Sequence, residues 1–219
     1  MDSFADICVG TRIACRGDVV RSADGVTGLH PLLARRHSPR SLGGARVADE
    51  VVVRLLEAAR WAPSSGNGQP WAFVVVHRDD PEHAAVAGLL SGRNALWAPA
   101  APLVVAAFAR TTDAEGRPRP ASLYDLGLAV AQLIAQAGAD GYAARQMGGF
   151  DKPRAREVFA APAGWEPVVL IAIGRAGDPA SIADELRAGE HAPRTRRPLA
   201  DIAFRGRFGV PLDTPASAT

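Results

Sequence analysis

The sequence predicts an α+β fold of the α/β-sandwich type, a central sheet flanked by helices. Three observations carry that prediction. Two long stretches repeat apolar residues at helical spacing: Val52, Leu55, Leu56 and Ala59 in the first, and Leu126, Val130, Leu133, Ile134 and Ala137 in the second. Three apolar runs, at 72–77, 103–108 and 168–173, have the length of buried strands. Helical and strand patterns alternate along the chain, which suits helices packed over a sheet.

Each element has a local reason. Residues 1–27 show no period and are set aside as an N-terminal extension, leaving 28–219 as one domain. A short helix fits 29–36 and is followed by the polar, basic RRHSPRSL. Asp49 is suited to cap a helix that runs to about 61, and Pro63 stops it. The loop APSSGNGQPW comes next; it is long for a connection and carries no charge. AFVVVH at 72–77 reads as a strand, with Trp71 packing at its start, and 81–90 as a helix opened by proline. The strand at 103–108 follows Pro99 and Pro102. The polar TTDAEGRPRP leads into the longest helix, 122–139. MGGFD forms a glycine turn, 152–159 a short helix and 168–173 the third strand. From Pro179 the chain is polar and carries RTRR.

Composition narrows the class. A chain of 219 residues with 47% apolar and 22% charged residues is long enough for one sizeable core. A net charge of +2 gives no drive towards nucleic acid or membranes. Lys152 is the sole lysine, so the positions of the arginines carry the electrostatic information. The first residues lack the basic start of a signal peptide and no apolar run reaches a membrane span. Cys8 and Cys15 have no neighbouring ligand at metal-binding spacing, so both read as reduced thiols of a cytoplasmic protein without a metal site.

The familiar catalytic patterns are missing. No nucleophile elbow, paired-histidine zinc motif, P-loop or dinucleotide fingerprint occurs. What remains is two basic clusters, Arg35-Arg36-His37-Ser38-Pro39-Arg40 and Arg194-Thr195-Arg196-Arg197. Guanidinium groups and a hydroxyl suit phosphate oxygens. Each cluster taken alone reads more readily as a solvated basic face than as a phosphate site.

Five blocks together resemble the nitroreductase-like FMN enzymes: ARRHSPRSL, AARWAPSSGNGQPWAFVVV, YDLGLAVAQLIAQAGADGY, QMGGFD and PRTRRPL, in that order from about residue 31 to 209. The resemblance implies a nitroreductase-like fold with a central mixed sheet, an obligate homodimer, and FMN bound at the subunit interface. By matching positions, Arg36, His37, Ser38 and Arg40 meet the phosphate and ribityl end, and Arg194 and Arg196 close on the phosphate. His37 reads alternatively as a plain turn residue. Pro63, Ser64, Ser65 and Asn67 border the flavin ring from the partner subunit, with Gln69 more a support of the loop. Met147, Gly148 and Gly149 pass along the ring, where a glycine main-chain N–H faces N5; the pair reads otherwise as a helix-ending turn. Some relatives have Glu at the position of Gly148. Asn94 resembles a further flavin-side position.

The implied reaction is ping-pong hydride transfer from NADH or NADPH to a nitroaromatic, quinone or similar small-molecule acceptor, with the pocket left open by the short 111–120 loop. The alternatives are an FMN-dependent dehydrogenase or oxidase of a specialised metabolite, and a flavin-binding protein without turnover. No nucleic acid or membrane partner is expected.

Overall fold

The computed structural model describes residues 29–212. The expected extension 1–27, with Cys8 and Cys15, and the last seven residues of the expected domain lie outside the described residues. In chain order the elements are α1 (Pro31–Arg35), β1 (Leu42–Gly43), α2 (Asp49–Arg60), β2 (Trp71–His77), α3 (His83–Ala87), β3 (Leu103–Arg110), α4 (Ser122–Ala139), β4 (Ala143–Met147), α5 (Lys152–Val158), β5 (Trp165–Ala176) and α6 (Asp184–His191). Short 3₁₀ turns join several of them.

β3 lies between β2 and β5, and β5 also pairs with β4 and, at its C-terminal end, with β1. Every pairing among the described residues is antiparallel, which corrects the expected mixed sheet. The reason is topological. The crossover through α4 does bring β4 back in the direction of β3, but β5 is inserted between the two, so like-directed strands are never neighbours.

Pleat alternation divides β3 between two cores. Leu103, Val105, Ala107 and Ala109 face a cluster built with Leu55 and Ala59 of α2 and with Leu126, Leu133 and Ala137 of α4. Val104, Ala106 and Phe108 face the opposite cluster, with Val86, Leu89, Met147, Phe150, Ala155 and Leu186. Burial on both faces explains why the strand is an unbroken apolar run. Trp71 is half-buried and packs against the first cluster.

Some local expectations shift. Ala48, not Asp49, takes the cap position of α2 and makes no side-chain cap bond; Asp49 and Glu50 occupy the first turn, where they complement the helix dipole. The expected helix over 81–90 shrinks to the five residues of α3. Three elements escape the sequence pattern: the two-residue β1, β4, whose centre is Arg145-Gln146, and α6, whose sequence DELRAGEH is mostly polar. Among the described residues, no helix is long and apolar enough to cross a membrane.

Candidate functional site

The two basic clusters come together. Arg194 Nη1 donates to the Ala34 carbonyl at 2.6 Å. The backbone N–H and Nη1 of Arg40 both donate to Glu190, at 3.1 and 3.3 Å. Residues 34–40 therefore lie beside 190–196. Within this corner Arg36 Nη1 donates to Ser38 Oγ at 3.3 Å. Burial, and then repulsion from Arg194 and Arg196, lower the Arg36 pKa. His37 is turned back on its own segment, with Nδ1 3.2 Å from the Arg35 carbonyl, the geometry of a turn residue.

Sequence reasoning missed a further cation here. Arg145, in the middle of β4, donates to the Ser38 carbonyl and lies with its guanidinium carbon 5.6 Å from the Trp97 ring centre. Burial first, then the charge of Arg40, lower its pKa, and Glu190 opposes the shift. Arg36 thus faces the charges of Arg194 and Arg196, while Arg145 faces those of Arg40 and Glu190, and the Glu190 carboxylate is engaged by Arg40. A partly desolvated excess of positive charge is stabilised by an anion with several oxygens, such as a phosphate monoester. Beside this corner an open recess of about 590 Å³ is lined by Thr195, Arg196, Arg197 and Ile202.

β4 links the arginines to the glycine turn. Two residues beyond Arg145, Met147 is buried under the sheet, and the chain then emerges at Gly148 and Gly149. The Gly149 carbonyl accepts from Asn94 Nδ2 at 3.2 Å and from the Ser91 N–H at 3.3 Å, which places Asn94 at the turn. A Cβ on Gly149 would lie 3.2 Å from that Asn94 nitrogen, so close approach explains this glycine; one on Gly148 would meet nothing within 4 Å. Among the described residues, neither the Gly148 nor the Gly149 N–H has a hydrogen-bond partner. Exposed, unpaired main-chain donors at the end of a strand are available to a ligand acceptor.

The uncharged loop after α2 sits apart. Gly66, Asn67 and Gln69 all have left-handed backbone, with φ of 57°, 55° and 43°. Ser64 Oγ accepts the Gln69 N–H at 3.0 Å, and Gln69 Nε2 donates to the Asn67 carbonyl at 3.3 Å and to its Oδ1 at 3.1 Å. The Gln69 side chain is therefore engaged in holding the loop. The Ser65 N–H donates to both oxygens of Asp125, at 3.2 and 3.3 Å. Pro63, Ser65 and Asn67 are exposed. Among the described residues, the hydrogen bonds of 64–69 stay within the loop or reach Asp125; none joins it to 36–40, Asn94 or 147–149.

Asp125 and Glu190 were also missed. Asp125 had a signal, because it falls in register with the buried face of α4, where a carboxylate is out of place. Glu190 and Arg145 lie on α6 and β4, the two elements whose polar sequences hid them, so neither could be placed beforehand. No group of metal-ligating side chains occurs among the described residues.

Comparison with known proteins identifies the family and the fold. The nitroreductase family model matches residues 33–175. An oxidoreductase of known structure that contains FMN is 36% identical and superposes with a TM-score of 0.78, covering 83% of this chain and 93% of its own. A nitroreductase from Exiguobacterium sibiricum, solved in complex with FMN, is 25% identical with a TM-score of 0.65, covering 78% of this chain and 94% of its own. Among curated proteins, an uncharacterised 15.4 kDa protein of Mycolicibacterium smegmatis is 35% identical over 133 residues, 61% of this chain and 88% of that protein. Bacillus subtilis YdgI, provisionally named an NAD(P)H nitroreductase, is 29% identical over 185 residues, 67% of this chain and 88% of YdgI. The matched span runs from α1 to the end of β5 and includes Arg36, Asn94, Arg145 and the Gly148-Gly149 turn, so by sequence and by fold the chain belongs to the nitroreductase family.

Proposed function

We propose that the protein is an FMN-dependent oxidoreductase, working as a homodimer, that takes electrons from NADH or NADPH and passes them to a nitroaromatic, quinone or similar small acceptor. One observation carries this reading. The unpaired Gly148 and Gly149 N–H groups stand at the end of the strand whose Arg145 reaches the Ser38 carbonyl in the arginine corner. Strand β4 thus connects the proposed phosphate donors with the proposed ring-edge donors, which supports a ligand with a phosphate at one end and a ring at the other, as in a phosphorylated flavin. The FMN-bound structures of relatives support the same assignment.

Arg36, Arg194 and Arg196 would hold the phosphate, with Ser38 as a neutral donor. The glycine N–H groups would donate to the ring, and Asn94, tied to the Gly149 carbonyl, would fix the turn. Bound FMN supplies the redox chemistry, accepting a hydride and passing electrons on. The chain's own task is to orient it and leave one face open. Among the residues gathered here there is no nucleophile–base pair, which fits a reaction needing no strong protein acid or base. Ser64, Ser65 and Asn67 would complete the ring edge in a second subunit, since within one chain they stand apart from the other candidates.

The experiment is titration of flavin-free protein with FMN, followed by anaerobic mixing with NADH and NADPH. Saturable binding and bleaching of the flavin bands by at least one nucleotide are expected. A protein that binds no FMN overturns the reading. Binding without bleaching by either nucleotide removes the reductase assignment.

A further inference from the structure

We infer that Asp125 is a positioning residue that locks the 64–69 loop in its left-handed form and so sets flavin affinity, an inference that rests on the proposed FMN reading. Asp125 is 4% exposed and lies in the first turn of α4. Both its oxygens accept from the Ser65 N–H. Among the described residues, no arginine, lysine or histidine pairs with it. A buried carboxylate without a cation is costly, and an apolar side chain would suit this helix face better. Two features offset that cost: the favourable N-terminal end of α4 and the bond to Ser65.

The loop needs such a tie. Left-handed backbone at Asn67 and Gln69 is disfavoured for residues with a side chain and persists only when the surroundings fix it. The bonds inside the loop, from Gln69 to Ser64 and Asn67, from the Asn67 N–H to the Ser64 carbonyl and from the Gly68 N–H to the Ser65 carbonyl, join loop residues only to one another. The Ser65–Asp125 bond runs from the loop to a residue in the core of the sandwich. Releasing it leaves the loop's shape intact only as far as its own bonds hold, and frees its placement against α4. Ser64, Ser65 and Asn67, all at or beside the tie, would then present their hydroxyl and amide groups to the flavin edge in many orientations rather than one.

The test uses the full chain. Asp125→Ala removes the acceptor. Ser65→Pro removes the donor and fits locally, because Ser64 is already extended at φ −145° and ψ 154° and Ser65 opens a 3₁₀ turn. Ser65→Ala controls for the hydroxyl. Both Asp125→Ala and Ser65→Pro should weaken FMN binding about tenfold or more, read by flavin fluorescence, and the double variant should be no weaker than either alone. Additive losses, or unchanged affinity in Asp125→Ala, overturn the inference. Asp125→Asn keeps one acceptor and should restore most of the affinity; should Asp125→Ala fail to fold, Ser65→Pro measured against Ser65→Ala carries the test, and equal affinities of those two overturn the inference. A second readout is independent of flavin: exchange of the Ser65 amide in flavin-free protein should accelerate about tenfold or more in Asp125→Ala. If the wild type binds no FMN, the functional reading falls, while the exchange rate still decides the tie. Equal rates in the two proteins refute it.

Discussion

Arg36 shows how a site can be held ready at a cost. Its guanidinium is partly buried and faces the charges of Arg194 and Arg196, so its cationic form is disfavoured in the empty fold. Arg36→Met keeps the length and removes the charge. The flavin-free protein should then melt no lower than wild type, whereas FMN affinity should fall by roughly ten- to a hundredfold, the equivalent of a charged hydrogen bond of about 1.5–3 kcal/mol. Calorimetry of the empty protein and an FMN titration check the two halves; a lower melting temperature would mean that Arg36 supports the fold instead. The glycine turn separates in the same way. Gly148→Ala meets open space, while Gly149→Ala must push Asn94 aside. The first should bind FMN as wild type does, and the second several-fold more weakly, since Asn94 would lose its bond to the Gly149 carbonyl.

At the scale of elements, α4 unites packing and placement. Leu133 is fully buried where α4 meets the sheet, so Leu133→Ala should cost about 2–5 kcal/mol in urea unfolding. The end of β2 makes a different prediction. The Asp80 carboxyl is held below the usual carboxylate range, chiefly by the His77 N–H at 2.8 Å, with help from Arg46. Its native pKa is depressed, so its contribution is present above the unfolded value near 4 and is lost as pH falls through the native value. Asp80→Asn should therefore flatten the acid limb of the stability curve and leave its slope near neutrality unchanged. The same elements show what the sequence could reveal. α4 was legible to the residue, because a regular apolar stripe lies between clear breakers. β2, β3 and β5 were legible as apolar runs because the sheet is covered on both sides, though β5 extends beyond its apolar centre. β4 was not, since Arg145 and Gln146 interrupt it, and α6 buries only Leu186 and Glu190. The candidate site was half legible for the same reason. Residues in recurring blocks, such as Arg36, Ser38 and the glycine pair, stood out; Asp125 left a trace as a carboxylate on the buried stripe of α4, whereas Arg145 and Glu190 act through tertiary contacts that no local pattern encodes.

At the scale of the whole molecule, the proposed flavin residues fall into two separate groups within one chain, and large apolar side chains are exposed. Leu123 and Tyr124 on the first turn of α4 are 57% and 71% exposed, and Trp61, at the start of the uncharged loop, is 74% exposed. Gly127 and Ala131 continue the exposed face of α4 with small side chains that allow close approach of another helix. A second copy covering this face would bury its aromatic groups and carry loop 64–69 towards a neighbour's glycine turn, so dimerisation and flavin binding should be one linked equilibrium. Tyr124→Glu places a charge on that surface, and exchange of the Ser65 amide at the wild-type rate checks that the neighbouring Asp125 still holds its loop. Sedimentation should show the variant as a monomer at concentrations where wild type is a dimer. Its FMN affinity should fall, and excess FMN should shift it back towards dimer, because a ligand that prefers the paired state must favour pairing to the same extent. A monomeric variant that binds FMN as tightly as the wild type would show that each chain completes its own site, and loop 64–69 would then need another role.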